Sequence, residues 1–311
     1  MHSKLRGFTI LLTMLVLTDC ANQPAPPRVN IPTALSDDTI FPAPPELQPQ
    51  IVFWRNVYAV WGRDQVVLHD TRYLDLIYTV LTLPGPVSEN QTFEQQAFVK
   101  GWLKVLKANL QQLEFKVSTS APLIPAEQAL AARIQSSSGG FGAITNADDR
   151  LRSQRGMRER FKRGLEISGR YDAAFRDIFR TAGLPEDLAY LPHVESSFQD
   201  RAASSVGAVG MWQFMPDTAQ RFMIVNAAVD ERRDPVASAQ GAARYLGNAH
   251  TRLGSWPLAV TSYNHGVGGM KRAQQTFGND TVSIVRNYSG TAFGFASRNF
   301  YTEFLAAREI A

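Results

Sequence analysis

The sequence predicts a mainly α fold, and three observations carry that reading. Apolar side chains recur at spacings of three and four over long stretches, prolines and glycines sit where helices start and stop, and residues 151–311 show no persuasive strand alternation. With 311 residues, 44% of them hydrophobic, the chain has enough material for a sizeable core and is not of disordered composition.

The elements follow in order. Lys4 and Arg6 precede the apolar run Phe8–Leu17, which reads as an export leader over residues 1–19. That run is too short to cross a bilayer, which takes roughly 20 residues. Leu17-Thr18-Asp19-Cys20 resembles a bacterial lipobox, with Asp19 standing where that pattern has a small uncharged residue. The expectation is a lipid on Cys20 and a periplasmic protein anchored to the outer membrane; simple secretion is the alternative. Cys20 is the only cysteine, so no intrachain disulfide is possible. Residues 20–50 are rich in proline and read as a tether.

Residues 51–135 are predicted as a helical N-terminal region. Phe53, Val57, Tyr58 and Trp61 recur at helical spacing, as do Leu74, Ile77, Tyr78 and Leu81. After the break Pro84-Gly85-Pro86, the segment Phe93–Leu113 repeats the pattern. The aromatic cluster Phe53, Trp54, Tyr58 and Trp61 reads as core in preference to a sugar-stacking surface. Ser136–Gly140 marks a linker, and residues 136–311 are predicted as the last domain. Within it, a helix over Tyr171–Ala182 stops at Gly183, and Pro185 opens the next with Glu186 and Asp187 in its first turn. Asp234 caps another helix that begins at Pro235 and runs to Gly254.

The chemistry concentrates in this last region. Leu184, Leu188 and Leu191 form one helical stripe, and Glu195 continues it, so a carboxyl is aimed at apolar surroundings. Pro192 is expected to bend or end the helix just before Glu195. Desolvation disfavours the carboxylate and raises its pKa, as an acid catalyst near neutrality requires. The plainer reading is a buried glutamate matched by an arginine. Farther on come Gly207-Ala208-Val209-Gly210 and Met211-Trp212-Gln213-Phe214-Met215-Pro216. Tyr263-Asn264 then sits between a helix starting at Trp256-Pro257 and a glycine-rich turn, Gly266–Gly269.

Glu195-Ser196-Ser197-Phe198, Gly207-Ala208-x-Gly210-x-Trp212-Gln213-Phe214-Met215-Pro216 and Tyr263-Asn264-x-Gly266 together resemble the soluble-lytic type of lytic transglycosylase, and most closely the membrane-bound lytic transglycosylase D group. The resemblance covers residues 152–271 firmly. It implies a lysozyme-like helical domain of goose type that cleaves the bond between N-acetylmuramic acid and N-acetylglucosamine in peptidoglycan and leaves 1,6-anhydromuramoyl ends. It also implies that Glu195 is the single catalytic acid/base, that Ser204 and Gln213 bind substrate, that Met215 lines the cleft, and that Tyr263 holds Glu195. Ser262 and His265 stand where the family pattern has alanine and a small residue.

Other function classes are excluded as expectations. A net charge of +4 is too small to argue for nucleic acid. No histidine and carboxylate spacing suits a metal, and neither glycine-rich segment reads as a phosphate cradle, so no metal, nucleotide or other cofactor is expected. His193 and His265 read as surface residues, and Asp200, Asp217, Asp230, Glu231 and Asp234 as surface or capping groups. The rival functions are a lysozyme-type hydrolase and a non-catalytic wall-binding protein of the same fold.

Overall fold

The computed structural model describes residues 39–311; the expected leader, Cys20 and most of the expected tether lie outside the described residues. Residues 61–156 form one compact unit, and residues 39–60 with 157–311 form the other. This differs from a division at residues 135 and 136. Helix α1 (Gln48–Ala59) belongs with the C-terminal helices because its apolar face is completed by them: the Trp54 indole donates to Asn299 at 3.3 Å and the Tyr58 hydroxyl to Glu303 at 3.2 Å. Residues 41–50 are likewise folded in place of tether, with Phe41 and Leu47 fully buried. Pro49 occupies the first turn of α1, where its missing N–H costs nothing.

The smaller unit corrects the all-helical expectation for residues 51–135. β1 (Gln65–Asp70) and β2 (Ile77–Thr82) pair antiparallel, followed by α2 (Phe93–Ser118), α3 (Pro125–Gln135) and β3 (Leu151–Arg155), in the sheet order β2-β1-β3. β1 is the middle strand and Val66 to Asp70 are all buried, so no alternation betrays it. Leu74, Ile77, Tyr78 and Leu81 match a helical stripe only because a turn residue and three strand residues share its spacing. β-Branched and aromatic content, Val66-Val67 and Tyr78-Thr79-Val80, decides for strand. α2 starts as its sequence predicts, with a reciprocal cap between Thr92 and Gln95, and packs Leu106, Leu110 and Leu113 into the core. Asp70, fully buried at the end of β1, accepts from the Arg72 and Tyr73 backbone N–H groups at 2.7 and 3.1 Å and from Arg150 Nε at 2.8 Å.

The larger unit is helical: α4 (Arg158–Ser168), α5 (Asp172–Thr181), a 3₁₀ turn (Glu186–Tyr190), α6 (Leu191–Glu195), α7 (Pro216–Ala219), α8 (Pro235–Leu253), α9 (Trp256–His265), α10 (Val267–Phe277), α11 (Thr281–Asn287) and α12 (Phe295–Ile310). The mainly α class is thus borne out. α12 is its central helix, buried almost all round from Asn299 to Ala307, and it packs against α1, α6 and α9. Asp234 caps α8 as expected, accepting from Val236 and Ala237 N–H at 2.8 Å, and Gly254 ends it at φ +63°. The expected turn Gly266–Gly269 is narrower than predicted: Gly266 alone makes the break, at φ +83°, and Gly268 and Gly269 lie inside α10.

Candidate active site

The stripe that predicted Glu195 is real, but its backbone is not one helix. Leu188 and Leu191 are fully buried, the first in the 3₁₀ turn and the second at the start of α6. Pro192 begins α6 where a bend or stop was expected, because a proline in the first helical turn forfeits no hydrogen bond. The stop comes three residues later. Ser196 N and Phe198 N both donate to Pro192 O, at 3.0 and 3.1 Å, and Ser197 and Phe198 take φ values of +53° and +57°. Two adjacent non-glycine residues in the left-handed region are strained, and their neighbours hold them there. Phe198 is buried beside Phe175, and the Ser196 hydroxyl donates to Met211 O at 2.8 Å.

Glu195 therefore ends a five-residue helix on a fixed backbone. The residue keeps partial access to solvent, while its carboxyl is surrounded by protein. Among the described residues it makes no hydrogen bond or ion pair, so the arginine-matched reading does not hold. Burial pushes its pKa up to about 8, and the negative charge of Glu303 adds to the shift. At pH 7 the group holds its proton.

The Gly207–Pro216 segment forms a tight loop alongside. Ala203 and Phe214 each bridge Val209, and the Gly210 backbone passes so close to Arg232 O that a side chain there would collide. Arg232, buried and paired with Asp230 at 2.8 Å, donates to Gly207 O at 3.0 Å and Phe214 O at 3.2 Å, and so ties both ends of the loop. No local pattern singles out Arg232, since besides Asp230 its partners are backbone carbonyls far off in the chain.

The predicted substrate residues are placed by this loop. The Ser204 hydroxyl accepts from Ala208 N at 2.9 Å. Gln213, at φ +48°, donates from its amide to Gly210 O at 2.7 Å. Met215 is 41% exposed, unusual for so apolar a side chain. The Tyr263 hydroxyl donates to Trp212 O at 2.9 Å, so the hydrogen bond it makes is to the loop that flanks Glu195; burial and then the Glu195 charge raise its pKa. Ser297 Oγ donates to Asn264 Oδ1 at 2.7 Å.

His193, expected at the surface, is buried between Phe161 and Phe198, and desolvation lowers its pKa to about 3, so it is neutral. His265 is half-buried against Phe293. Of the other carboxylates, Asp200 and Asp217 are exposed, Asp230 is paired, Glu231 accepts from Ile224 N and Asp234 caps α8. Among the described residues, no group of three or more histidine, cysteine or carboxylate side chains could hold a metal ion.

Residues 177–284, which include Glu195, the loop and Tyr263, match the transglycosylase SLT domain model. This stretch resembles the transglycosylase SLT domain family. The chain is also similar to curated proteins. Over 95 residues the chain is 36% identical to the membrane-bound lytic murein transglycosylase D of Escherichia coli (strain K12), covering 30% of this chain and 21% of that protein. Over 114 residues it is 34% identical to the membrane-bound lytic murein transglycosylase F 2 of Alkalilimnicola ehrlichii, covering 34% and 24%. A putative tributyltin chloride resistance protein of Alteromonas sp. is 34% identical over 104 residues, covering 33% of this chain and 50% of its own. The match thus spans about a fifth of the length of the Escherichia coli relative. A solved structure of an inactive mutant of the lytic transglycosylase Slt from Pseudomonas aeruginosa shares 22% identity at a TM-score of 0.33, over 44% of this chain and 23% of that one.

Proposed function

We propose that this protein is a lytic transglycosylase that cleaves the β-1,4 bond between N-acetylmuramic acid and N-acetylglucosamine in peptidoglycan, with Glu195 as the catalytic acid and then base. The observation that carries the reading is a carboxyl that burial holds protonated near neutral pH, inside the SLT segment and with no cation paired to it among the described residues. A group in that state donates to the glycosidic oxygen as the bond from C1 breaks and positive charge spreads over the muramic ring. The resulting carboxylate then accepts the proton of the C6 hydroxyl as that oxygen bonds to C1. The Glu195 proton is restored, no water is consumed, and a 1,6-anhydro end remains.

Ser204, Gln213, Met215 and Tyr263 are assigned to substrate binding. Their support is the tied loop, which presents an exposed thioether next to polar groups of fixed direction, and Tyr263 acts through Trp212 to keep that loop against Glu195. The goose-lysozyme likeness of the helical unit belongs to the same reading, as does a lysozyme-like boundary for the catalytic part. The leader over residues 1–19 and Cys20 support a lipid-anchored periplasmic protein at the outer membrane. Relatives named membrane-bound agree with a cell-envelope location. Among the described residues, no helix is long and apolar enough to cross a membrane.

Incubation of the purified protein with intact sacculi, followed by mass spectrometry of the released muropeptides, tests the function. Anhydro ends are the expected product, absent with Glu195→Gln. Reducing ends would replace the reading with a hydrolase, and binding without release would replace it with a wall-binding protein.

A further inference from the structure

Helix α4 meets the backbone next to Glu195 along one stripe of residues. Gly164 is the only glycine within α4, in mid-helix, where glycine destabilises by about 1 kcal/mol relative to alanine. Its backbone is ordinary helix, so no turn requires it. What requires it is space: a Cβ there would stand 2.8 Å from Ser197 O and 3.1 Å from Ser197 C, closer than a side chain can sit to backbone. Arg160 lies four residues earlier and therefore on the same face. Its Nη2 donates to Ser196 O at 3.3 Å. Between them, Phe161 stacks on His193 of α6 at 5.0 Å and on Tyr58 of α1 at 4.9 Å. The start of α4 is itself anchored: Met157 N donates to Val57 O at 2.8 Å and Arg158 Nη1 to Val60 O at 3.0 Å. These residues precede residue 177, so the SLT match assigns nothing to them.

α4 thus bears on both carbonyls that follow Glu195, one by a hydrogen bond and the next by direct contact. A carboxyl at the end of a five-residue helix has little regular backbone of its own to aim it. The turn beyond it is strained, with Ser197 and Phe198 in the left-handed region, and such a turn relaxes once its neighbours let it. Relaxation would swing the peptide unit joined to Glu195 and carry the carboxyl toward water. The residues assigned to substrate do not depend on α4 in this way. Ser204 and Gln213 bond within their own loop, Arg232 ties its ends, and Tyr263 bonds to Trp212 O.

We propose that Arg160 and Gly164 are positioning residues that aim the Glu195 carboxyl, Gly164 by letting α4 close on Ser197 O and Arg160 by holding Ser196 O. The proposal rests on the acid/base role assigned to Glu195 above. Because α4 acts on the proton donor and not on the substrate loop, its disturbance lowers kcat and spares KM.

The test combines muropeptide-release kinetics with a carbon-13 titration of the Glu195 carboxyl in the full chain. In Gly164→Ala, kcat falls by about 10²-fold, the scale of a misplacement near 1 Å, while KM is unchanged. The Glu195 midpoint moves down toward the ordinary glutamate range, because a displaced turn lets water reach the group. Arg160→Ala changes kcat and the midpoint in the same directions by less, and Arg160→Lys, which keeps a cationic donor, restores part of both. This pair carries the test if circular dichroism shows that Gly164→Ala does not fold. A midpoint that stays put or rises in the folded variants overturns the proposal, whatever the kinetics. So does a KM that rises with or in place of the fall in kcat, or a lowered melting temperature with wild-type kcat. Should the wild-type protein release no muropeptide at all, the proposed function falls, while the titration still decides whether α4 positions the carboxyl.

Discussion

Asp70 in the smaller unit and Glu195 in the larger are both carboxyls taken out of water, yet only Asp70 is matched by donors. Asp70 accepts two backbone N–H bonds and one from Arg150. Burial still raises its pKa, but these donors and the Arg150 charge pull against the shift. Glu195 has desolvation and a second negative group acting in the same direction. The first arrangement holds a turn together, and the second stores a proton. A buried carboxyl is thus read by its surroundings, since burial alone does not separate a structural group from a chemical one.

Substitutions sharpen that contrast, and the largest effect is expected at Glu195. Glu195→Gln removes a proton donor and leaves the packing, so muropeptide release should fall by about 10²–10⁴-fold or more while circular dichroism is unchanged. Next is Asp70→Asn, which takes the charge partner from Arg150 and leaves its bonds to Thr145 O and Ala143 O. Urea unfolding should show a loss of about 1–3 kcal/mol, below the roughly 3–5 kcal/mol of a fully buried pair because Arg150 remains partly exposed and keeps other acceptors.

The third effect has the opposite sign. A carboxyl raised on folding to about 8 from an ordinary 4.5 binds its proton more tightly in the native state. Below the lower value both states are protonated and the shift has no effect; between the two values only the native state holds the proton, so stability falls as pH rises. Thermal unfolding should show Glu195→Gln more stable than the wild type at pH 8, by on the order of 1–3 kcal/mol, with the difference vanishing toward pH 4. A constant difference across that range would mean that Glu195 is not held as an acid. Last, Ser196→Ala removes the neutral bond to Met211 O beside Glu195 and should cost about 1 kcal/mol, with no dependence on salt. A salt-sensitive loss there would show that charge, not neutral hydrogen bonding, fixes the backbone at Glu195.

Much of the candidate site was legible because its signals are local. The stripe through Leu188 and Leu191 locates Glu195, Asp234 caps its helix, and the glycines of residues 207–210 mark a close approach that Gly210 makes. The aromatic cluster at residues 53–61 is core, as read. What stayed hidden was non-local. β1 is buried on both faces, so its apolar run looks the same as a buried helix segment. Pro192 looks like a helix breaker in the sequence, whereas its meaning depends on where the helix begins. Glu303 carries no motif, though one signal was available: it sits in Phe300-Tyr301-Thr302-Glu303-Phe304-Leu305-Ala306-Ala307, a helix apolar on nearly every side, where a charged residue stands out.

The bond between Tyr58 and Glu303 joins residues 245 positions apart. A ribosome adding roughly 5–20 residues per second needs tens of seconds to travel between them. In the last part of that interval residue 195 has been made but α12 has not, so α6 lacks the helix that packs against it and the Glu195 carboxyl is less withdrawn from water. The raised pKa of Glu195 therefore arrives late, with the docking of a terminal helix, and a nascent or clipped chain lacking that helix carries the motif without the full shift.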